Sequence, residues 1–169
     1  SQKMINDTNP FNIIKREQIK KSMNWKDITF DENKIDALNE QFSIDDFIHI
    51  SIPINISTPE GYKETSYSVY FLRNSSATSE SCHYIRDGLE ISQVLRKKLD
   101  KGITAVVEIC DSQLSGLLNR TEDPSHSEWR VQNYKSNPRL EGYKNVYEVV
   151  RFIKNAPHEI LNSLLKKEL

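Results

Sequence analysis

The alternation of apolar and polar positions divides the chain into a helical front, a β-rich middle and a helical end. Asn9-Pro10 is followed by Phe11, Ile13, Ile14, Ile19 and Met23, a pattern that predicts a helix with proline at its first position and a break at Asn24-Trp25. Asp31 then caps a second predicted helix with Ile35, Leu38 and Phe42 three and four residues apart, and Ser43-Ile44-Asp45-Asp46 reads as another capping signature. From Phe47 the period becomes two. Ile48, Ile50, Ile52, Ile54 and Ile56 alternate with Phe47, His49 and Ser51, which predicts a half-buried strand that Pro53 assigns to an edge or a bulge. Thr58-Pro59-Glu60-Gly61 is a turn, and the stretch from Lys63 to Arg73 returns through Tyr67, Val69 and Phe71 to complete a hairpin.

The serine-rich run from Asn74 to Ser81 reads as a loop, and Cys82 to Ile91 as a third strand interrupted by Asp87-Gly88. Ser92 to Lys101, with Val94, Leu95 and Leu99, predicts a helix closed by Gly102. Ile103 to Cys110 is apolar except for Thr104 and Glu108, as a central strand requires, and Asp111 caps a short helix through Leu114, Leu117 and Leu118. Arg120 to Leu140 is polar, broken by Pro124 and Pro138, and long enough to be functional or partly helical. Val146, Val149, Val150 and Ile153, then Ile160, Leu161, Leu164 and Leu165 beyond Pro157, predict a helical end. The order of elements gives an α+β fold: a mixed, largely antiparallel sheet of about four strands with helices on one face and helical N- and C-terminal segments. The expected division is a helical segment over residues 1–46 and an α+β domain over 47–169, packed as one unit.

Composition adds limits. A chain of 169 residues with 37% hydrophobic positions can bury a real core. No apolar run approaches the roughly 18 residues of a membrane helix, and the Ser1-Gln2-Lys3 start is unlike a signal peptide, so no membrane is expected as a partner. Two cysteines are too few for a disulfide framework, which makes the cytoplasm the expected location. The net charge of −1 argues against a wholly basic nucleic-acid binder, yet the charge is unevenly spread. Lys3, Lys15, Arg16, Lys20 and Lys21 make the first 24 residues basic, the last 40 are basic as well, and residues 25–64 are strongly acidic. Solvated helix faces account for such clusters, and a basic face for nucleic acid is the alternative.

The densest polar cluster is Asp123-Pro124-Ser125-His126-Ser127-Glu128-Trp129. His126 and Glu128, two apart, share a direction only on an extended strand, and no second histidine or cysteine stands at ligand spacing, so a metal site built from Asp123, His126 and Glu128 is the weaker alternative. The stronger one has Asp123 cap a short helix starting at Pro124, with Glu128 in its early turns and Trp129 on the core. Cys82 and His83 would point to opposite faces of a strand, and Cys110 ends an apolar strand as a buried thiol. Gly88 and Gly116 lack the flanking pattern of a nucleophile turn, and five glycines form no phosphate-cradling loop. Arg86-Asp87-Gly88 reads either as an exposed charged hairpin corner or as a basic residue that meets an anion. The sequons at Asn6, Asn55 and Asn74 are chance matches in a cytosolic chain.

Four stretches, Tyr84 to Ile91, Gly102 to Glu108, Leu117 to Trp129 and Val150 to Pro157, resemble a run found downstream of the nucleotide-binding domain in large bacterial ATP-binding proteins. Those proteins belong to the superfamily of gyrase, the heat-shock chaperone, histidine kinases and MutL (GHKL). The resemblance covers about residues 47 to 165, and the acidic-Asp-Pro-Ser-His-Ser-Glu-Trp run is its most specific piece. It implies a transducer-like domain that senses the nucleotide held by a preceding ATP-binding domain or a second protomer. The superfamily's ATP-site motifs are absent, so the resemblance implies no catalytic residue and no cofactor for this chain alone, with ATP and Mg belonging to the full-length protein. It also implies that a basic residue, Arg86 or a lysine between Ser92 and Lys101, contacts the nucleotide phosphate. A first residue that is Ser rather than Met fits an excised domain. The leading expectation is therefore a non-catalytic transducer-like or interaction domain. A nucleic-acid module using the basic ends and a small hydrolase or metal enzyme using Asp123, His126 and Glu128 are the rivals.

Overall fold

The computed structural model describes residues 10–44 and 46–166; Lys3, Asn6, Asn9 and Asp45 lie outside these residues. In chain order the elements are β1 (Phe11–Asn12), α1 (Arg16–Lys21), a 3-10 turn (Trp25–Asp27), α2 (Glu32–Ile44), β2 (Phe47–Thr58), β3 (Gly61–Arg73), β4 (Ser81–Arg86), β5 (Leu89–Glu90), β6 (Ile103–Ile109), α3 (Ser112–Thr121), 3-10 turns at Tyr134–Ser136 and Pro138–Leu140, and α4 (Val146–Lys166). The fold is α+β. Its six strands form one mixed sheet in the order β1-β2-β3-β6-β4-β5. The β2–β3 and β3–β6 pairs and the short β4–β5 hairpin are antiparallel, whereas β1–β2 and β4–β6 are parallel.

The isoleucine alternation of β2 builds the core. Ile48, Ile50, Ile52, Ile54 and Ile56 are each 1% exposed or less. Ile48 stands opposite Phe71, Ile50 opposite Val69 and Ile52 opposite Tyr67, so the buried faces of β2 and β3 coincide. Ala105 and Val107 of β6 and Tyr84 of β4 continue that surface. Ile35, Leu38 and Phe42 of α2, Leu114, Leu117 and Leu118 of α3, and the apolar stripe of α4 close over it in a single cluster. Trp25 stacks on Phe152 at 4.3 Å between ring centres and donates its indole N–H to the Phe152 carbonyl at 2.8 Å.

Several expectations change. Phe11 and Asn12 pair with Ile50 and Ser51 instead of opening a helix at Pro10, so Ile13 and Ile14 are buried by extended chain and α1 begins only at Arg16. The front segment thus contributes a strand as well as helices. No helix starts at Ser43: α2 ends at Ile44, and the Asp46 carbonyl accepts the Arg73 N–H beside β2. Residues 92–101 form no helix, although a parallel crossover ordinarily carries one. Of their apolar residues Leu99 is buried and Val94 packs partly on the core, but Leu95 is 82% exposed, so the three do not share one covered face. The stretch is instead held extended by Glu80, whose carboxylate accepts both guanidinium N–H groups of Arg96, at 2.5 and 2.9 Å, and the Leu99 N–H at 2.9 Å. The central strand β6 buries alternate positions only, with Thr104, Val106 and Glu108 half-buried. Cys110, expected inside, is exposed.

Pro53 sits where β2 has only β3 beside it, since β1 reaches no further than Ser51, and its missing N–H is harmless there. Asp111 caps α3 as its sequence position implies, its Oδ1 accepting the N–H groups of Gln113 and Leu114.

Two glycines in the left-handed region separate backbone strain from steric conflict. At Gly88 (φ +79°) an added Cβ meets open space, while at Gly102 (φ +81°) it falls 2.7 Å from the Asn74 carbonyl oxygen. Gly88→Ala is expected to cost about 1 kcal/mol through strain alone, and Gly102→Ala about 2 kcal/mol or more. Urea unfolding of both variants checks the order, and equal losses would remove the close-approach argument.

Candidate functional site

The stretch most specific in sequence surrounds one buried ion pair. On β4, Cys82, Tyr84 and Arg86 share the core-facing side of the strand, opposite Ala105, Val107 and Ile109 of β6. Arg86, expected at an exposed corner or facing an anion, is only 8% exposed. On α3, the i+4 series Leu114, Leu118, Glu122 runs down the buried face and ends in a carboxylate at the C-cap. The Glu122 side chain is completely buried and meets Arg86 through two bonds, Nε to Oε2 at 2.5 Å and Nη2 to Oε1 at 2.7 Å.

Two further groups complete the carboxylate's shell. His126 Nδ1 lies 2.8 Å from Oε1, and the Trp129 indole N–H donates to Oε2 at 3.1 Å. Burial alone would raise the Glu122 pKa, but the bonds from Arg86, His126 and Trp129 together outweigh it and hold the pKa below 4.5. Arg86 is also held from its other side. Its Nη1 donates to the Ser115 hydroxyl at 3.2 Å, and that hydroxyl donates to Asp87 at 2.6 Å.

Asp123 caps no helix. Residues 124–126 form a turn in which His126 adopts φ +55° and donates its N–H to the Asp123 carbonyl at 2.9 Å. The Asp123 carboxylate accepts the N–H groups of Ser127 and Glu128 at 2.7 and 2.9 Å, together with the hydroxyls of Ser125 and Ser127. These bonds, that from Ser125 foremost, hold its pKa well below the usual carboxylate range. Pro124 terminates nothing, because the loop closes by pairing: Glu122 and Trp129 form an antiparallel bridge, and the Arg130 N–H reaches the Thr121 carbonyl. Trp129 packs edge-on against Tyr84 at 5.7 Å. Glu128 turns outward and pairs with Arg130 at 2.6 Å. The Ser127 carbonyl accepts the Gln93 N–H, which ties the loop to the chain leaving β5.

The structure therefore brings Arg86, His126 and Trp129 together around Glu122, while Asp123 closes the loop beside them and Glu128 stands apart. Glu122, the centre, was absent from the residues singled out in the sequence, although the i+4 apolar series of α3 pointed straight at it. The carboxylate oxygens of Glu122 and Asp123 already accept protein donors, and among the described residues no group of three or more His, Cys, Asp or Glu could hold a metal ion. Cys82 has its thiol pushed up to about 11 by burial, which opposes thiolate formation. What this arrangement does chemically is fix geometry: it joins the end of β4, the end of α3 and the loop 123–129. No family model matches the chain, and no curated protein matches it.

Removing one partner of the pair strands a buried charge. Arg86→Met is expected to cost about 3–5 kcal/mol, while the double variant Arg86→Met/Glu122→Leu regains part of that loss. Denaturant melts of single and double variants decide this, and strictly additive losses would remove the pair as a unit. Glu122 has a lowered folded-state pKa, so its stabilisation is complete above 4.5 and is lost as pH falls through the lowered value. The double variant should accordingly lose less stability than the parent over that acid range. An identical acid profile would show that Glu122 is not the group responsible.

Proposed function

We propose that this chain is a non-catalytic, transducer-like domain of a larger ATP-binding protein, which couples the nucleotide state of an ATP-binding domain to contacts with a partner. The observation that carries the reading is the part played by the run that most resembles that class. Its Glu122 is bonded to Arg86, His126 and Trp129 as a strut around a fully buried carboxylate, with Asp123 closing the loop that carries the last two, rather than set out around an open reaction site. A strut of this kind transmits displacement. The Asp87-Gly88 turn at its tip is exposed, and both residues have positive φ. Directly behind that turn, Arg86 and Asp87 are bonded to α3 through Glu122 and Ser115. A push on the turn is therefore delivered to α3 and the 123–129 loop together. Direct contact of Arg86 with a nucleotide phosphate would require it to leave Glu122, so in this reading Arg86 is a positioning residue at rest.

Purified chain incubated with ATP and Mg is expected to release no phosphate above a buffer blank, and turnover by homogeneous protein would overturn the proposal. In the full-length protein, a non-hydrolysable ATP analogue should change amide-exchange protection over residues 84–93 and 119–130. Identical protection with and without nucleotide would remove the coupling.

A further inference from the structure

On the opposite flank of the sheet, a concavity of about 250 Å³ has an apolar floor of Ile19, Met23 and Val149 and polar side chains around it. Lys20 and Lys21 of α1, Asn55 and Ser57 of β2, and Lys144 and Asn145 ahead of α4 contribute to its wall, and no carboxylate does. These residues are far apart in sequence and are brought together by backbone pairing. Ser57 bridges Lys144 in antiparallel fashion, its carbonyl accepting the Lys144 N–H at 3.2 Å along the part of β2 that β1 leaves uncovered. Asn145 then turns at φ +58°, and its carbonyl accepts the Val149 N–H, which starts α4 at the rim.

The decisive residue is Asn55. It is 3% exposed, and its Nδ2 has no hydrogen-bond partner among the described residues, a costly state for a buried amide. Its orientation is fixed, because Oδ1 accepts from Arg16 Nη1 at 2.5 Å and a flipped amide would set NH2 against a guanidinium. The unpartnered donor is therefore held away from Arg16 in a residue that lines the cavity. Arg16 is itself neutralised by Glu64 at 3.1 Å, and Glu148 in the first turn of α4 does not line the wall. Three lysines and a fixed amide donor contribute to one small space, and the 21-residue α4 starts at its rim, just after Asn145.

The geometry points to a binding site for a terminal phosphate group, as free phosphate or at the end of a phosphomonoester. The cavity lies below the range of about 300–1,000 Å³ typical of pockets that enclose a drug-sized ligand, so it takes the anionic head and leaves the remainder of a ligand outside. This inference does not depend on the ATP-coupling reading, since it concerns a different flank of the sheet and a different set of residues.

Inorganic phosphate titrated into the full 169-residue chain at constant ionic strength should move the amide NMR signals of residues 20–22, 55–57 and 144–149 to saturation and raise the Tm, while chloride leaves both unchanged. The triple variant Lys20→Glu/Lys21→Glu/Lys144→Glu, which alters exposed side chains only, should weaken phosphate by roughly tenfold or more, whereas Lys97→Glu should not. Asn55→Asp keeps a partner for Arg16 and so should stay folded, yet it should abolish the phosphate response. Phosphomonoester probes such as glycerol phosphate are expected to give the same shifts as the free ion. A short oligothymidylate lacking terminal phosphates should not, and diester binding without a response to inorganic phosphate would overturn the assignment. Shifts spread evenly over all lysine-bearing surfaces, or an equal response to chloride, would also overturn it.

Discussion

A fully buried carboxylate constrains everything around it. Removing the Glu122 side chain from water carries a penalty of several kcal/mol, so the fold must supply donors in fixed positions whenever α3 docks on the sheet. It supplies four from two separate stretches: two from Arg86 on β4, and one each from His126 and Trp129 on the loop after α3. Each donor in turn requires its own element to be in place. Arg86 reaches Glu122 only if β4 lies parallel to β6, and Trp129 reaches it only if the 123–129 turn is closed by Asp123. The end of β4, the end of α3 and an otherwise irregular loop thus meet at one charge, in addition to the strand pairing and the apolar face of α3.

Most of the scaffold could be read from local pattern. The isoleucine alternation of β2, the hairpin turn at Pro59-Glu60, the Asp31 and Asp111 caps and the long terminal helix all appear where periodicity and capping chemistry place them. The failures share a cause. At Pro10 and at Ser92 to Lys101 the apolar spacing was compatible with a helix, but long-range partners offered more: β2 paired with Phe11 and Asn12, and Glu80 captured Arg96 and the Leu99 amide. Asp123 failed in a subtler way. Its capping chemistry is real, because it accepts the N–H groups four and five residues on, but they belong to a loop closed by the Glu122–Trp129 bridge rather than to a helix. Sequence chemistry identified the acceptor without identifying the backbone it would serve.

The site itself was half legible. Its residues lie in the densest polar cluster of the chain, where the pattern places Trp129 on the core but gives no buried partner for the charges beside it. Arg86 carried a clear signal, since it occupies the same strand face as Cys82 and Tyr84, and a charged residue at such a position demands a buried partner. Glu122 carried the matching signal in the Leu114, Leu118, Glu122 series. The pairing became visible only with the tertiary fold, because 36 residues separate the two groups.

The long helix α4 links the two flanks of the sheet. Its first turn borders the lysine-lined cavity beside β2, and further along its Lys154 carbonyl accepts the Tyr84 hydroxyl at 2.6 Å, with Tyr84 packed against Trp129 of the strut. Pro157 removes one backbone donor from the helix interior, and side chains bond to nearby carbonyls: Trp25 to Phe152 and Tyr84 to Lys154. The middle of the helix is thereby fastened to the core at the level of the strut, while its N-terminus is fastened to β2 through the Ser57–Lys144 bridge. An anion in the proposed site would sit at the start of the same helix that Tyr84 holds in its middle. Helix α4 is thus shared by both flanks, joined to β2 just ahead of its first turn and to β4 in its middle.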